Sequence, residues 1–198
     1  MSIGTLPTMP LAILPLPAVL RSPNAPPLRR WTVAEYQRMI DANILKAKEQ
    51  VHLLEGWIVY KVPRGADSPT FRRWTVEEYH RLMEIDVLKE SEPVELLQGW
   101  IVQKMSRNTP HDTTLNKTEE AIRGSLPSGW RLRSQMAIST GDSEPEPDCA
   151  IVSGDLDAYL ANHPKPEDVA FLVEISDTTL ATDRKIKGAA YGFANIDS

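Results

Sequence analysis

Residues 29–61 read RRWTVAEYQRMIDANILKAKEQVHLLEGWIVYK, and residues 72–104 repeat them as RRWTVEEYHRLMEIDVLKESEPVELLQGWIVQK. The two stretches lie 43 positions apart, and more than half of their aligned residues are identical. Such similarity indicates a tandem duplication rather than a solenoid, which needs at least about three stacked repeats to bury its core. We call these stretches the first copy and the second copy.

Each copy is predicted to fold as a helix followed by a strand. In the second copy Thr75 is a suitable N-cap residue, and Glu78 follows it at the spacing of a capping box. Apolar side chains from Tyr79 onward recur at helical spacing. A strand is predicted over residues 94–104, with a turn or bulge at Gly99 because glycine is uncommon inside strands. The second copy joins directly to the rest of the chain, so we expect the first copy to be an appendage.

The rest of the chain alternates between helix and strand patterns. The predicted elements are a helix after Pro110, strands at residues 130–139, 148–152 and 171–176, and a last helix at residues 182–194. This order predicts an α/β (α+β) fold with a mixed central β-sheet flanked by helices.

Composition divides the chain into regions. Residues 1–28 contain seven prolines, which block helices and central strands, and we expect a disordered leader there. Residues 29–71 form the duplicated helix-strand unit, and residues 72–198 form the main domain. Residues 1–71 carry a net charge of +3, whereas the main domain carries −8. A module that only holds nucleic acid usually has a basic face, so this balance argues against that class more than against a metal-dependent enzyme.

The chain has one cysteine, Cys149, which rules out an intrachain disulfide framework and a cysteine cluster for structural zinc. A reducing, cytoplasmic environment is therefore predicted. The apolar stretch at residues 11–20 is too short and too rich in proline to span a bilayer, and no basic residue precedes it. We predict no export signal.

Two carboxylates occupy unusual places in predicted strands. Asp148 opens a strand after a Pro-Asp step, and Glu174 lies in the otherwise apolar FLVEI. Burying a carboxylate at such a place costs free energy unless the carboxylate is paired or bound to metal. For Asp148 or Glu174 taken alone, a structural ion pair is the commoner explanation. If the two strands pair, both carboxylates can meet at one end of the sheet, where their oxygens would suit a hard cation such as Mg²⁺.

The motifs PEPDCAIV (residues 145–152), FLVEIS (residues 171–176) and DRKIKGAAY (residues 183–191) follow in this order. Together with the second copy and His111, they resemble the restriction endonuclease domain family, a type II-like branch of the PD-(D/E)XK nuclease superfamily. The resemblance covers nearly all of the main domain. It implies the restriction-endonuclease-like core and a nuclease activity.

The resemblance also implies which residues carry the chemistry. Asp148 and Glu174 would be the metal ligands, holding Mg²⁺ or Mn²⁺. The lysine of the wider superfamily lies two residues after that glutamate, where this chain has Ser176; in this family it lies four residues after an aspartate. Lys187, four residues after Asp183, matches that pattern, although spacing alone leaves Arg184 and Lys185 open.

Other candidate residues have more than one interpretation. Glu95 matches a family glutamate and is either an outer ligand or a surface acid of an edge strand. Asp183 and His111 are further candidates for the surroundings of the metal, with His111 more typical of a helix cap or a substrate-side group than of a ligand. The spacing of the four histidines predicts no shared metal site.

Cys149 is more typical of a small buried residue than of a nucleophile. The four tryptophans that recur with the duplication are predicted to be core or capping aromatics: Trp31, Trp57, Trp74 and Trp100.

These observations predict a Mg²⁺-dependent endonuclease that hydrolyses phosphodiester bonds in DNA, with RNA left open as the nucleic acid. The resemblance implies a homodimer in many such nucleases. It also implies a further strand after the lysine helix, and we expect that last strand to be missing because the sequence ends at GFANIDS. The alternative is a degenerate, inactive nuclease remnant or an interaction protein.

Overall fold

A computed structural model describes residues 26–61, 70–104, 108–155, 157–175, 187–188 and 191–192. Within these residues three α-helices accompany short antiparallel sheets, which confirms the predicted α+β class. The helices are α1 (Val33–Asp41), α2 (Val76–Glu84) and α3 (Thr109–Arg123). The strands are β1 (Val51–Leu54), β2 (Trp57–Tyr60), β3 (Val94–Leu97), β4 (Trp100–Gln103), β5 (Trp130–Ser134), β6 (Cys149–Ser153) and β7 (Val169–Val173).

Both copies begin with a capped helix, as the sequence predicts for the second. The Thr75 side chain accepts a hydrogen bond from the Glu78 backbone N–H, and the Glu78 carboxylate accepts one from the Thr75 N–H. Thr32 and Glu35 form the same capping box at α1. Each box satisfies two backbone donors that the first helical turn leaves free.

Each predicted strand is instead a β-hairpin. The single strand expected over residues 94–104 is broken into β3 and β4 by a two-residue turn at Gln98 and Gly99, whose φ angles are 50° and 76°. Two consecutive positive φ angles match the twist of a tight hairpin, and glycine adopts them most easily. The turn expected at Gly99 is therefore confirmed. Gly56 has the equivalent place in the first copy, with a φ of 84°.

The two copies share one hydrophobic core, so the expectation that the first copy is an appendage is wrong. The rings of Trp31 and Trp74 contact each other across the interface, with their centroids 5.2 Å apart. Met39 of α1 and Leu82 of α2 are fully buried in the same cluster. Burial of two tryptophans and both helices against each other makes the first copy part of the folded unit.

The copies also exchange the segments that precede them. The segment before the first copy joins the hairpin of the second, where the Gln103 N–H donates to the Pro27 carbonyl at 2.8 Å. The segment before the second copy joins the hairpin of the first, where the Tyr60 N–H donates to the Thr70 carbonyl at 2.8 Å. These contacts are equivalent under the 43-residue offset. The copies are therefore related by an approximate internal twofold.

Ion pairs follow the same symmetry. Arg29 donates to Glu92 of the second copy at 2.8 Å, and Arg72 donates to Glu49 of the first at 3.1 Å. Each arginine also binds the capping-box glutamate of its own copy. Charge-assisted hydrogen bonds at a buried interface fix its orientation more firmly than apolar contacts alone.

The third sheet has the order β5-β6-β7, and both of its ladders are antiparallel. Its core contains Ile138, Ala150, Val152, Leu172 and Tyr191. The loop between β5 and β6 joins this sheet to the second copy, because the Glu144 N–H donates to the Leu96 carbonyl of β3 at 2.7 Å. The strand predicted at residues 130–139 is shorter in the structure, since the chain turns at Gln135, where φ is 53°.

Several expectations concern residues outside the described ranges. The leader predicted at residues 1–28 lies largely there, although its last residues, Pro27 and Leu28, pair with β4. The expected absence of a last strand concerns residues beyond 192, which the structure does not describe. In the part of the chain that is described, no helix has the length and apolar character needed to cross a membrane.

Candidate metal centre

The strands next to Asp148 and Glu174 pair with each other, which meets the condition under which the two carboxylates can come together. Cys149 of β6 is paired with Val173 of β7, so Asp148 and Glu174 occupy the next positions outward at the same end of the sheet. The Asp148 Oδ2 atom accepts a hydrogen bond of 2.8 Å from the Ile175 backbone N–H. This bond fixes the aspartate against the chain that carries the glutamate.

Lys187, which has helical backbone, extends its side chain to the same end of the sheet. Its Nζ atom lies 3.4 Å from the carboxylate of Glu174 and 3.3 Å from the carbonyl oxygen of Glu146. Tyr191, four residues further on, donates its hydroxyl to Glu174 Oε1 at 2.5 Å. Lys187 and Tyr191 both have helical backbone, and both side chains contact Glu174.

Glu95 joins the cluster from β3. It is only 5% exposed, which excludes the interpretation as a surface acid. Its Oε2 atom accepts a hydrogen bond of 3.1 Å from the Glu146 N–H and lies 3.9 Å from Lys187 Nζ. The ammonium of Lys187 therefore contacts both Glu95 and Glu174. Lys104 pairs with the Glu146 side chain at 2.6 Å and holds this segment from the other side.

His111 approaches Asp148 from α3. Its Nε2 atom lies 3.2 Å from Asp148 Oδ2, and because a carboxylate only accepts, this bond requires the proton on Nε2. The N-cap of the helix is Asn108, whose side chain accepts from the His111 N–H at 3.0 Å, rather than His111 itself. The histidine thus orients one oxygen of Asp148.

The electrostatics of the cluster disfavour a fully charged state. Burial above all, and also the neighbouring Asp148 and Glu95 carboxylates, raise the pKa of Glu174, and its net value is about 7. Lys187 and the hydroxyl of Tyr191 oppose these effects without cancelling them. When buried carboxylates repel one another, a bound cation stabilises their charged forms.

The donor atoms fit a hard divalent cation. Asp148 directly precedes β6 and Glu174 directly follows β7, and their carboxylate oxygens are the ligands that Mg²⁺ and Mn²⁺ accept. Cys149 beside them is fully buried in β6, and burial raises the pKa of its thiol to about 11, so the thiol is a packing group. Asp183, the remaining candidate from the sequence, lies outside the described residues.

Sequence reasoning missed some of the residues found here. Tyr191 belongs to the quoted motif DRKIKGAAY, and its spacing of four from Lys187 could have indicated it. The separation of the histidines in the sequence also gave no sign that His80 and His163 both contact Glu144 in the folded chain. Three of the recurring tryptophans are buried as predicted: Trp31, Trp74 and Trp100.

A comparison with known protein families identifies a matching family. The sequence model of Uma2, described as "Putative restriction endonuclease", matches residues 76–196. That range contains α2 and the second hairpin, together with every residue of the cluster described above. It starts after the first copy. A search of curated proteins found no match.

Proposed function

The chain belongs to the Uma2 family, and from this membership and the buried carboxylate cluster we propose that it is a Mg²⁺-dependent endonuclease that hydrolyses phosphodiester bonds in DNA. The observation that carries the proposal is the contact between Lys187 and Glu174 beside Asp148. A phosphodiester is an anion, so its cleavage needs positive charge next to negative ligands that hold a metal.

In this proposal Asp148 and Glu174 hold the ion. Bound Mg²⁺ would polarise a phosphoryl oxygen and lower the pKa of a coordinated water. The Ile175 amide and His111 keep Asp148 in place, and Tyr191 fixes one oxygen of Glu174. Ligands held by such neighbours keep their orientation when the ion enters.

Lys187 has a separate role in the proposed reaction. Its ammonium contacts Glu174 and Glu95, which holds it beside the proposed metal ligands. There it would orient the attacking water and stabilise the negative charge that grows on the phosphate oxygens. Hydrolysis then joins the oxygen of water to phosphorus and releases the leaving oxygen with a proton. Glu95 acts as a positioning residue through Lys187.

Cleavage of supercoiled plasmid DNA in the presence of Mg²⁺ tests the proposal. We expect Glu174→Gln and Asp148→Asn each to lower the rate roughly a hundredfold, since they weaken the metal site, and Lys187→Met to lower it by a similar factor. Glu120→Gln is the matched control, because Glu120 is an exposed carboxylate of α3 outside the cluster.

Two results would overturn the proposal. One is an equal rate of cleavage by Glu174→Gln and the wild type, which would place any activity elsewhere. The other is wild-type protein that neither cleaves DNA nor binds Mg²⁺ in calorimetry, which would favour the inactive remnant. A parallel assay with single-stranded RNA identifies the nucleic acid, and preference for RNA would correct the substrate.

A further inference from the structure

Three side chains from distant parts of the sequence meet on the outside of the second copy. Their ligand atoms, from His80, Glu144 and His163, all lie within 4.8 Å of one another. His80 Nε2 is 2.8 Å from one oxygen of Glu144 and 2.9 Å from the other. His163 Nε2 is 3.3 Å from Glu144 Oε1. We propose that these residues form a Zn²⁺ site, distinct from the carboxylate cluster around Lys187.

Each ligand is held by the backbone that carries it. His80 is part of α2. Glu144 is bound through its N–H to β3, and the neighbouring Ser143 hydroxyl accepts from the Gln98 N–H at 2.7 Å. His163 precedes Pro164, whose carbonyl accepts from the Ser139 N–H at 2.8 Å. A residue before proline is restricted to extended conformations, so the position of His163 is defined as well.

Burial and exposure suit a cation that enters from solvent. The Glu144 side chain is 4% exposed, whereas the imidazoles of His80 and His163 are 46% and 40% exposed. A buried carboxylate under two exposed imidazoles leaves one side of the site open to water. Three protein ligands with an open fourth position are typical of zinc sites that also bind water.

The donor types select the metal. Two imidazole nitrogens and one carboxylate suit Zn²⁺ and similar ions, whereas Mg²⁺ requires oxygen ligands. A tetrahedral zinc with bonds of about 2.0 to 2.1 Å separates its donors by about 3.3 Å. The contact from His163 already has that length, and the two from His80 would lengthen by about half an ångström, which its exposed ring permits.

The first copy lacks this site. Gln37 occupies the place in α1 that His80 occupies in α2. The substitution His80→Gln therefore introduces into α2 the side chain that the equivalent helix α1 already carries at this position. It removes one ligand without a foreign residue at the surface.

Zinc calorimetry of the purified full chain tests the site, with Co²⁺ absorption in the visible range as a second readout. We expect one saturable Zn²⁺ site in the wild type, and an affinity at least about a hundredfold lower in His80→Gln and in His163→Gln. Saturating Zn²⁺ should raise Tm by roughly 5 °C in the wild type and not in these variants. His52→Gln is the control, since it removes a histidine from the first hairpin and should leave Zn²⁺ binding unchanged.

Any of three results would overturn the proposal. The wild type could show no saturable binding, or His52→Gln could weaken binding as much as His80→Gln, which would indicate adventitious surface histidines. Thirdly, Glu174→Gln could abolish the Zn²⁺ signal, which would place the ion in the carboxylate cluster. Circular dichroism confirms folding of each variant, and two separate histidine variants guard against a folding defect in one. A result that shows no DNA cleavage would not contradict the proposed Zn²⁺ site, so each of the two proposals can fail without the other.

Discussion

The two copies share a backbone plan but differ in what covers their hairpins. In the second copy all four residues of β3 are buried, because the loop with Glu144 lies against them. In the first copy only Val51 of β1 is fully buried. Residues that pack between the copies are apolar in both, such as Trp31 with Trp74 and Met39 with Leu82, whereas the site positions Glu95 and His80 are His52 and Gln37 in the first copy. The two copies therefore share an interface and differ at the positions of the proposed sites.

Two equivalent arginines of the interface between the copies are expected to differ in their contribution to stability. Arg72 is 2% exposed and Arg29 9%, so the contacts of the Arg72 side chain are the more deeply buried of the two. We expect Arg72→Met to lower the free energy of unfolding by about 3 kcal/mol and Arg29→Met by about 2 kcal/mol. Urea denaturation measures both. Equal losses would show that burial does not distinguish the two arginines.

The hairpin turns offer a second comparison. A Cβ at Gly99 would meet the Arg73 Cβ at 3.0 Å and the Trp74 carbonyl at 3.2 Å, whereas at Gly56 it meets only the side chain of Arg30. Both turns require a positive φ, which costs a non-glycine residue about 1 kcal/mol or more. We therefore expect Gly99→Ala to cost about 2 kcal/mol and Gly56→Ala about 1 kcal/mol in thermal unfolding. A larger loss at Gly56 would contradict the role of the carbonyl contact.

The site positions can be compared through activity. Glu95→Gln removes the charge near Lys187, and we expect DNA cleavage about tenfold slower, equivalent to about 1.4 kcal/mol. His52→Gln alters the equivalent place in the first copy and should leave the rate unchanged. Rate measurements over a range of Mg²⁺ concentrations separate weaker ion binding from slower chemistry. An effect of His52→Gln as large as that of Glu95→Gln would mean that both copies serve the site.

The smallest expected effect concerns pH. Burial raises the pKa of Glu35, but hydrogen bonds from Arg29 and Thr32 outweigh burial and lower it to about 2 from an ordinary 4.5. A lowered folded pKa stabilises the protein above pH 4.5, and this contribution is lost as the pH falls towards 2. We expect a loss below about 1 kcal/mol, because solvent screens the pair. Arg29→Met should flatten this part of the pH profile of stability, and an unchanged slope would assign it to other carboxylates.

Local features were predictable because they depend on residues a few positions apart. The capping box of Thr75 and Glu78 and the turn at Gly99 follow from short-range chemistry. The pairing of β6 with β7 was only a condition in the argument from sequence, under which the two carboxylates could meet. Spacing alone did not decide which basic residue among Arg184, Lys185 and Lys187 belongs to the site. The contact of Lys187 with Glu174 depends on the direction in which the lysine side chain points, which spacing did not determine.

Long-range features were not predictable in the same way. His80 and Glu144 are 64 positions apart, and their contact requires the loop before β6 to lie on β3. The pairing between the copies requires each arginine to find a glutamate of the other copy. A repeat in sequence shows that two units resemble each other, but whether they face each other depends on surfaces that a single sequence pattern does not reveal.

The exchanged segments have one more consequence. Because residues 62–69 join the two copies in one chain, their association is intramolecular, and short linkers correspond to effective concentrations of about a millimolar. Dilution, which separates ordinary dimers, therefore cannot separate these halves. At high protein concentration the same exchange can occur between two chains, with the first copy of one lying on the second copy of another. The twofold that closes the monomer is thus also a route to a swapped dimer.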